Sequence, residues 1–265
     1  MMESLLRGDR APLVIGHRGL PRLAPENTLR SFELALEHGA DGFEVDVVAL
    51  ADGTLVAGHS LDLAELCHGA AGGAAGARTL AELRRLDPEL ATLEQVLELA
   101  EARPGAAPLL IDLKSTGLER SLIETVRRHG LQERTLLCSL ERAQLVCLRE
   151  LAPEIARSLS YPADRRRVSE RKAIAPFVPL ALRGLRLRLR RRIRSWLEQT
   201  GAVALTLHHG VISAELVRSC HEWGIAVLAW TVDDANVGQR LVKAGADAII
   251  TNDSRSYSRE HNEIE

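Results

Sequence analysis

Eight short apolar runs recur along the chain, and their spacing constrains the fold more than any other feature. They are Leu13–Ile15, Gly42–Val47, Leu109–Leu113, Thr135–Cys138, Ile155–Leu159, Val203–Leu207, Ala226–Trp230 and Ala248–Thr251. They are short and largely apolar on both faces, which suits buried parallel strands better than one-sided antiparallel ones. Between them apolar residues fall at helical spacing, over Thr28–His38, Leu93–Ala102, Leu118–His129, Glu141–Leu151, Ala214–Trp223 and Ala235–Ala244. Thr28 is a good N-cap, and Gly39, Gly130, Gly224 and Gly245 stand where helices stop. Eight such units in 265 residues predict an α/β chain folded as a (β/α)8 TIM barrel. An open doubly wound sheet is the competing arrangement, but no Gly-x-Gly-x-x-Gly follows any strand to build a nucleotide site.

A barrel gathers polar residues at the C-terminal ends of its strands, and the sequence places them there. His17 and Arg18 follow the first run, Glu44 and Asp46 end the second, and Asp112 and Lys114 end the third. Ser139, the pair His208 and His209, and Thr231 with Asp233 follow later runs. The whole of 1–265 reads as one domain with two departures from simple alternation. Asp52-Gly53 is a strong turn signal leading to Thr54–Gly58, after which about 60–91 reads as a small insertion containing the Gly/Ala-rich piece Gly69 to Ala77. The other departure is a basic segment at about 164–194. The polar tail from Asn252 is expected to fray.

Net charge is −2, so no overall basicity points to nucleic acid. Cys67, Cys138, Cys147 and Cys220 form no Cys-x-x-Cys pair and read as thiols of a reduced compartment. Met1 to Arg10 has no apolar core, so no signal peptide is expected, and no eighteen apolar residues run together. A cytoplasmic location is the resulting expectation.

Glu44 and Asp46 share one strand face because strand side chains repeat every second residue. With Asp112 they form a set of oxygen ligands suited to one divalent cation, Mg2+ or Ca2+. The competing assignment is a set of ion pairs to Arg18 and Lys114. His17 and His59 are the candidate proton carriers, since phosphodiester cleavage needs a base and an acid and imidazole titrates near neutrality. Arg18 and Lys114 are candidates to hold phosphoryl oxygens, a role compatible with charge balance for the carboxylates. Trp230 is either an apolar wall for the substrate or core packing, and His208 or His209 is pocket lining or an ordinary rim histidine. Pro25-Glu26-Asn27-Thr28 reads as a turn into a capped helix, with Glu26 in reach of His17 or Arg18.

Arg165-Arg166-Arg167 and the leucine-interleaved run Arg183 to Arg194 read either as an amphipathic helix meeting an anionic membrane or as a solvated helix covering the barrel. Nucleic acid is disfavoured because few aromatics accompany the arginines.

From His17 to Asp253 the chain resembles the glycerophosphodiester phosphodiesterases. The motifs are Gly16-His17-Arg18-Gly19, Pro25-Glu26-Asn27-Thr28, Glu44-Val45-Asp46, Asp52-Gly53 leading to His59, Thr92-Leu93-Glu94, Asp112-Leu113-Lys114, Trp230-Thr231-Val232 and Asp247-Ala248-Ile249-Ile250-Thr251. The resemblance implies a (β/α)8 barrel with a small insertion. It also implies metal-dependent hydrolysis of glycerophosphodiesters to glycerol 3-phosphate and an alcohol. It assigns metal ligation to Glu44, Asp46 and Asp112, acid–base work to His17 and His59, and phosphate contact to Arg18 and Lys114. Two residues depart from the family pattern: Ser60 stands where Asp usually follows the second histidine, and Asp112 where the third ligand is usually Glu. The rival functions are a lysophospholipase D working at a lipid surface, motivated by the basic segment, and a weakly active barrel that binds phosphorylated ligands.

Overall fold

The computed structural model describes residues 5–69, 72–105, 108–162 and 178–257. Nine strands form one sheet: β1 (Leu13–His17), β2 (Gly42–Ala49), β3 (Leu55–Ala57), β4 (Leu109–Leu113), β5 (Thr135–Ser139), β6 (Ala156–Tyr161), β7 (Ala204–His208), β8 (Ala226–Trp230) and β9 (Ala248–Thr251). β1 pairs in parallel with both β2 and β9, so eight strands close into a barrel, while β3 folds back antiparallel on β2. The expected (β/α)8 barrel is therefore the fold, and each of the eight runs became a barrel strand within two residues of its expected ends.

Helices α1 (Leu29–Glu37), α2 (Leu63–Leu66), α3 (Leu80–Leu86), α4 (Leu93–Glu101), α5 (Glu119–Arg128), α6 (Arg142–Leu151), α7 (Val178–Thr200), α8 (Ala214–Glu222) and α9 (Ala235–Ala244) complete the order. The 60–91 insertion holds α2 and α3 between β3 and α4, as its position after the strand extension predicts. Residues 70 and 71 of its Gly/Ala-rich piece, Arg165-Arg166-Arg167 and the tail beyond 257 lie outside the described residues.

Strand alternation sorts the side chains into two layers. Ile15, Leu110, Leu136, Cys138, Ala204, Ala226, Leu228, Ala248 and Ile250 pack together as the barrel interior, with Leu5 joining them. Their neighbours Phe43, Val45, Ile111, Leu137, Leu205, Val227 and Ile249 pack outward among the helices. Truncating one such fully buried leucine, Leu110 for example, would cost about 2–5 kcal/mol through lost transfer energy and the cavity left behind. On β2 and β4 the inward positions Glu44, Asp46 and Asp112 are charged, whereas on β6 and β7 the buried polar pair is the neutral Ser158 and Thr206, bonded to each other at 2.7 Å. That substitution of charge for packing marks the C-terminal mouth.

Candidate active site

Register brings the carboxylates together. Asp46 on β2 is the Cα partner of Asp112 on β4, and His17 on β1 is the partner of Glu44. One oxygen from each of Glu44, Asp46 and Asp112 lies within 4.8 Å of the others. Glu44 and Asp46 are buried and Asp112 is nearly so.

The turn after β1 is built by its glycines. A Cβ on Gly16 would come within 2.7 Å of Ala35 Cβ, and one on Gly19, whose φ is +91°, would meet the backbone of Ser31 at 2.5 Å. Neither position can carry a side chain, so the turn lies tight on α1. Arg18 is held at φ +57°; its backbone N donates to Glu44 Oε2 at 3.0 Å. Its guanidinium pairs with Asp46 at 2.8 Å and with Glu26 at 2.7 Å. Glu26 thus serves Arg18, one of the two partners the sequence left open. Thr28 caps α1 by accepting from Ser31 N, as expected.

Lys114 reaches both Asp46, at 2.8 Å, and Asp112. The charge-balance arrangement of Arg18 and Lys114 is therefore present, with three carboxylates facing two cations. Electrostatics divides the three. Burial would raise Asp46, but Lys114 and Arg18 overcome it and hold this carboxyl far below the usual carboxylate range. Burial and then repulsion from Asp46 push Glu44 well above it, and burial lifts Asp112 against the pull of Lys114. Burial would lower Lys114, but Asp112 and Asp46 keep its ammonium charged. Asp112 Oδ1 is buried and without a hydrogen-bond partner. An all-oxygen donor set, surplus negative charge and an unpartnered buried oxygen together fit a hard divalent cation.

His17 Nδ1 lies 2.8 Å from Asn252 Oδ1. Asn252 Nδ2 donates to Asp233 Oδ2 at 2.7 Å, and Asn252 N donates to Asp233 Oδ1 at 2.8 Å. A carboxylate only accepts, so the Asn252 amide must turn its oxygen toward His17. His17 then donates from Nδ1 and keeps its lone pair on Nε2. Burial, followed by the Arg18 charge, pushes His17 down to about 4, leaving the ring neutral near pH 7.

His59 sits beyond β3. Gly58 N donates to Asp46 O at 2.9 Å, which ties this segment to the carboxylates. Trp230, partly buried, packs against the barrel interior and donates from Nε1 to Thr206 O at 3.0 Å. Its ring meets His208 edge-on at 5.7 Å, and His209 lies against His208.

Three contributors escaped the sequence. Asn27, read there only as part of a turn, has φ +60°; its Oδ1 accepts from Asp46 N at 3.1 Å and its Nδ2 donates to Asp46 Oδ2 at 3.4 Å. Asn252 stands just past β9, where strand-end position was the available signal; its partner Asp233, past β8, the sequence had already placed at a strand end. Glu65, 3.4 Å from His59 Nδ1, lies inside the insertion and carried none.

A family model described as the Glycerophosphoryl diester phosphodiesterase family matches residues 17–256. A glycerophosphodiester phosphodiesterase of Caldanaerobacter subterraneus subsp. tengcongensis is 30% identical over 91% of this chain and 94% of its own length. The solved structure of an Oleispira antarctica phosphodiesterase in complex with the product sn-glycerol-3-phosphate is similar at TM-score 0.74 and 26% identity, covering 96% of this chain and 97% of that one. A glycerophosphodiester phosphodiesterase from Parabacteroides distasonis is similar at TM-score 0.71 and 25% identity, over 96% and 98% of the two chains.

Proposed function

The chain belongs to the glycerophosphoryl diester phosphodiesterase family, and we propose that it cleaves glycerophosphodiesters to glycerol 3-phosphate and an alcohol with one divalent cation, Mg2+ or Ca2+. The observation that carries this reading is the convergence of Glu44, Asp46 and Asp112, three carboxylates against two cations, with one buried oxygen unpartnered. Those three residues would hold the cation, which when bound polarises the phosphoryl oxygens and offsets the surplus charge. Arg18 and Lys114 are positioned to turn toward phosphoryl oxygens as that surplus is offset, steadying the charge that builds there.

His17 acts as the base. Its Nδ1 is committed to Asn252 and its ring is neutral, so Nε2 is ready to take a proton from the attacking oxygen. His59 acts as the acid that protonates the departing alkoxide. Trp230 lines the apolar side of the mouth. Release of glycerol 3-phosphate from glycerophosphocholine with Mg2+, with Ca2+ and with EDTA tests the reading. Turnover that is equal in EDTA removes the cation from the mechanism.

A second reading, turnover of lysolipids at an anionic membrane, is favoured by one face of α7. Leu180 and Leu187 are 71% and 51% exposed and share a helical stripe with the exposed Arg183, Arg191 and Arg194. Arg186 donates to Gly210 O at 2.8 Å, placing this half of the helix beside the C-terminal end of β7, the end that bears the site. No helix of the described residues is long and apolar enough to cross a membrane. Sedimentation with phosphatidylserine-containing vesicles, against phosphatidylcholine alone, tests it; equal recovery with both removes it.

A further inference from the structure

Between β3 and α4 the chain builds a small device around His59. The neighbouring Ser60 has no charge of its own, yet its hydroxyl donates to Glu65 Oε2 at 2.6 Å. The same hydroxyl oxygen accepts from Asp62 N at 3.2 Å. Asp62 in turn caps α2, its Oδ1 accepting from Ala64 N at 2.9 Å and Glu65 N at 3.3 Å. The helix sits close because Gly58 has no side chain: a Cβ there would meet Leu66 Cδ1 at 2.3 Å. Glu65 is thereby brought back across one turn, and its Oε2 lies 3.4 Å from His59 Nδ1. Both side chains are about a third exposed.

We infer that Glu65, held by the Ser60 hydroxyl, is a positioning residue for His59 in this chain. The inference rests on the role given to His59 above. Glu65 Oε2 already receives the Ser60 proton and has lone pairs left for one more donor. A carboxylate can only accept, so His59 donates from Nδ1, and the ring is fixed in the tautomer that leaves Nε2 to carry and release the catalytic proton. The same carboxylate stabilises the imidazolium that exists before the proton is given up. His59 and His17 then share one design: each is committed through Nδ1, His17 to an amide backed by Asp233, His59 to Glu65. The insertion, which adds no strand to the barrel, supplies part of the proton-transfer apparatus.

The test uses the full chain with saturating Mg2+ and glycerophosphocholine. Glu65→Gln keeps the shape and removes the charge and one accepting oxygen; it should lower kcat at least about tenfold while KM stays within about twofold, the range expected when acid catalysis is impaired without loss of binding. Glu65→Asp should retain more kcat than Glu65→Gln. Introducing Ser60→Asp into Glu65→Gln should recover kcat, because the charge is returned to the same side of the ring. The imidazole nitrogen resonances of neutral His59 should show a protonated Nδ1 in the parent and a mixture of tautomers in Glu65→Gln. An unchanged kcat in Glu65→Gln, or an unchanged tautomer, overturns the inference. His59→Ala separates the two readings: if it turns over as the parent does, the role of His59 itself fails. If it is inactive while Glu65→Gln is normal, only the inference about Glu65 fails.

Discussion

His17 and Asn252 are 235 residues apart, and Nδ1 of one meets Oδ1 of the other at 2.8 Å. The contact exists because β1 and β9 are adjacent where the barrel closes. Removing the amide in Asn252→Ala frees the ring to choose either tautomer and takes from Asp233 Oδ2 the donor at 2.7 Å, while Asn252 N still donates to Oδ1. The expected result is a fall in kcat on the order of tenfold or more with little change in KM. Steady-state kinetics on glycerophosphocholine checks this, and wild-type kcat in the variant would rule out the orienting role.

In the proposed cation site Asp112 would supply the third ligand through an oxygen that is otherwise unpartnered. Asp112→Asn keeps the shape and removes the charge, so cation affinity should drop by about tenfold or more. Calorimetric titration of the chelator-treated protein with Mg2+ or Ca2+ reads it directly. Equal affinity would take Asp112 out of the ligand set.

Lys114 neutralises Asp46 and Asp112 together. Lys114→Met leaves both carboxylates without their shared cation, a change expected to cost about 3 kcal/mol in EDTA because charge is stranded in a buried site. Added Mg2+ should narrow the gap between variant and parent. Thermal unfolding with and without the ion measures both effects; an unshifted melting temperature in EDTA contradicts the arrangement.

In the cation-free protein His17 is held near 4 against an ordinary 6.5. Between those values the unfolded chain binds a proton that the folded chain does not. The stability contributed by keeping this ring neutral is therefore complete above 6.5 and is lost as pH falls toward 4. Urea melts in EDTA at about pH 7 and about pH 4 should show the parent losing up to about 3 kcal/mol more than His17→Gln. Parallel losses would mean that His17 is not held neutral by burial.

Much of this molecule was legible because barrel geometry converts local patterns into position. Glu44-Val45-Asp46 put two carboxylates on one strand face from alternation alone, and Asp112 ended another strand. The hydrophobic runs set which segments became strands, since a strand buried on both sides must be apolar except where it reaches the mouth. The basic segment was legible as an amphipathic helix over the part that is described, α7.

The partners of those residues were not legible. Asn27 read as turn chemistry, and its two bonds to Asp46 follow from a left-handed backbone that sequence does not announce. Glu65 reaches His59 because a short capped helix packs on Gly58.

By itself the sequence determined the barrel, the family and the inventory of chemical groups, since periodicity and residue type are local properties. Only the tertiary structure decided which group serves which: Arg18 and Lys114 on Asp46, Asn252 on His17, Glu65 on His59. Hydrogen bonds and ion pairs depend on ångström-scale approach and direction between distant segments, and strand register and helix packing set that approach.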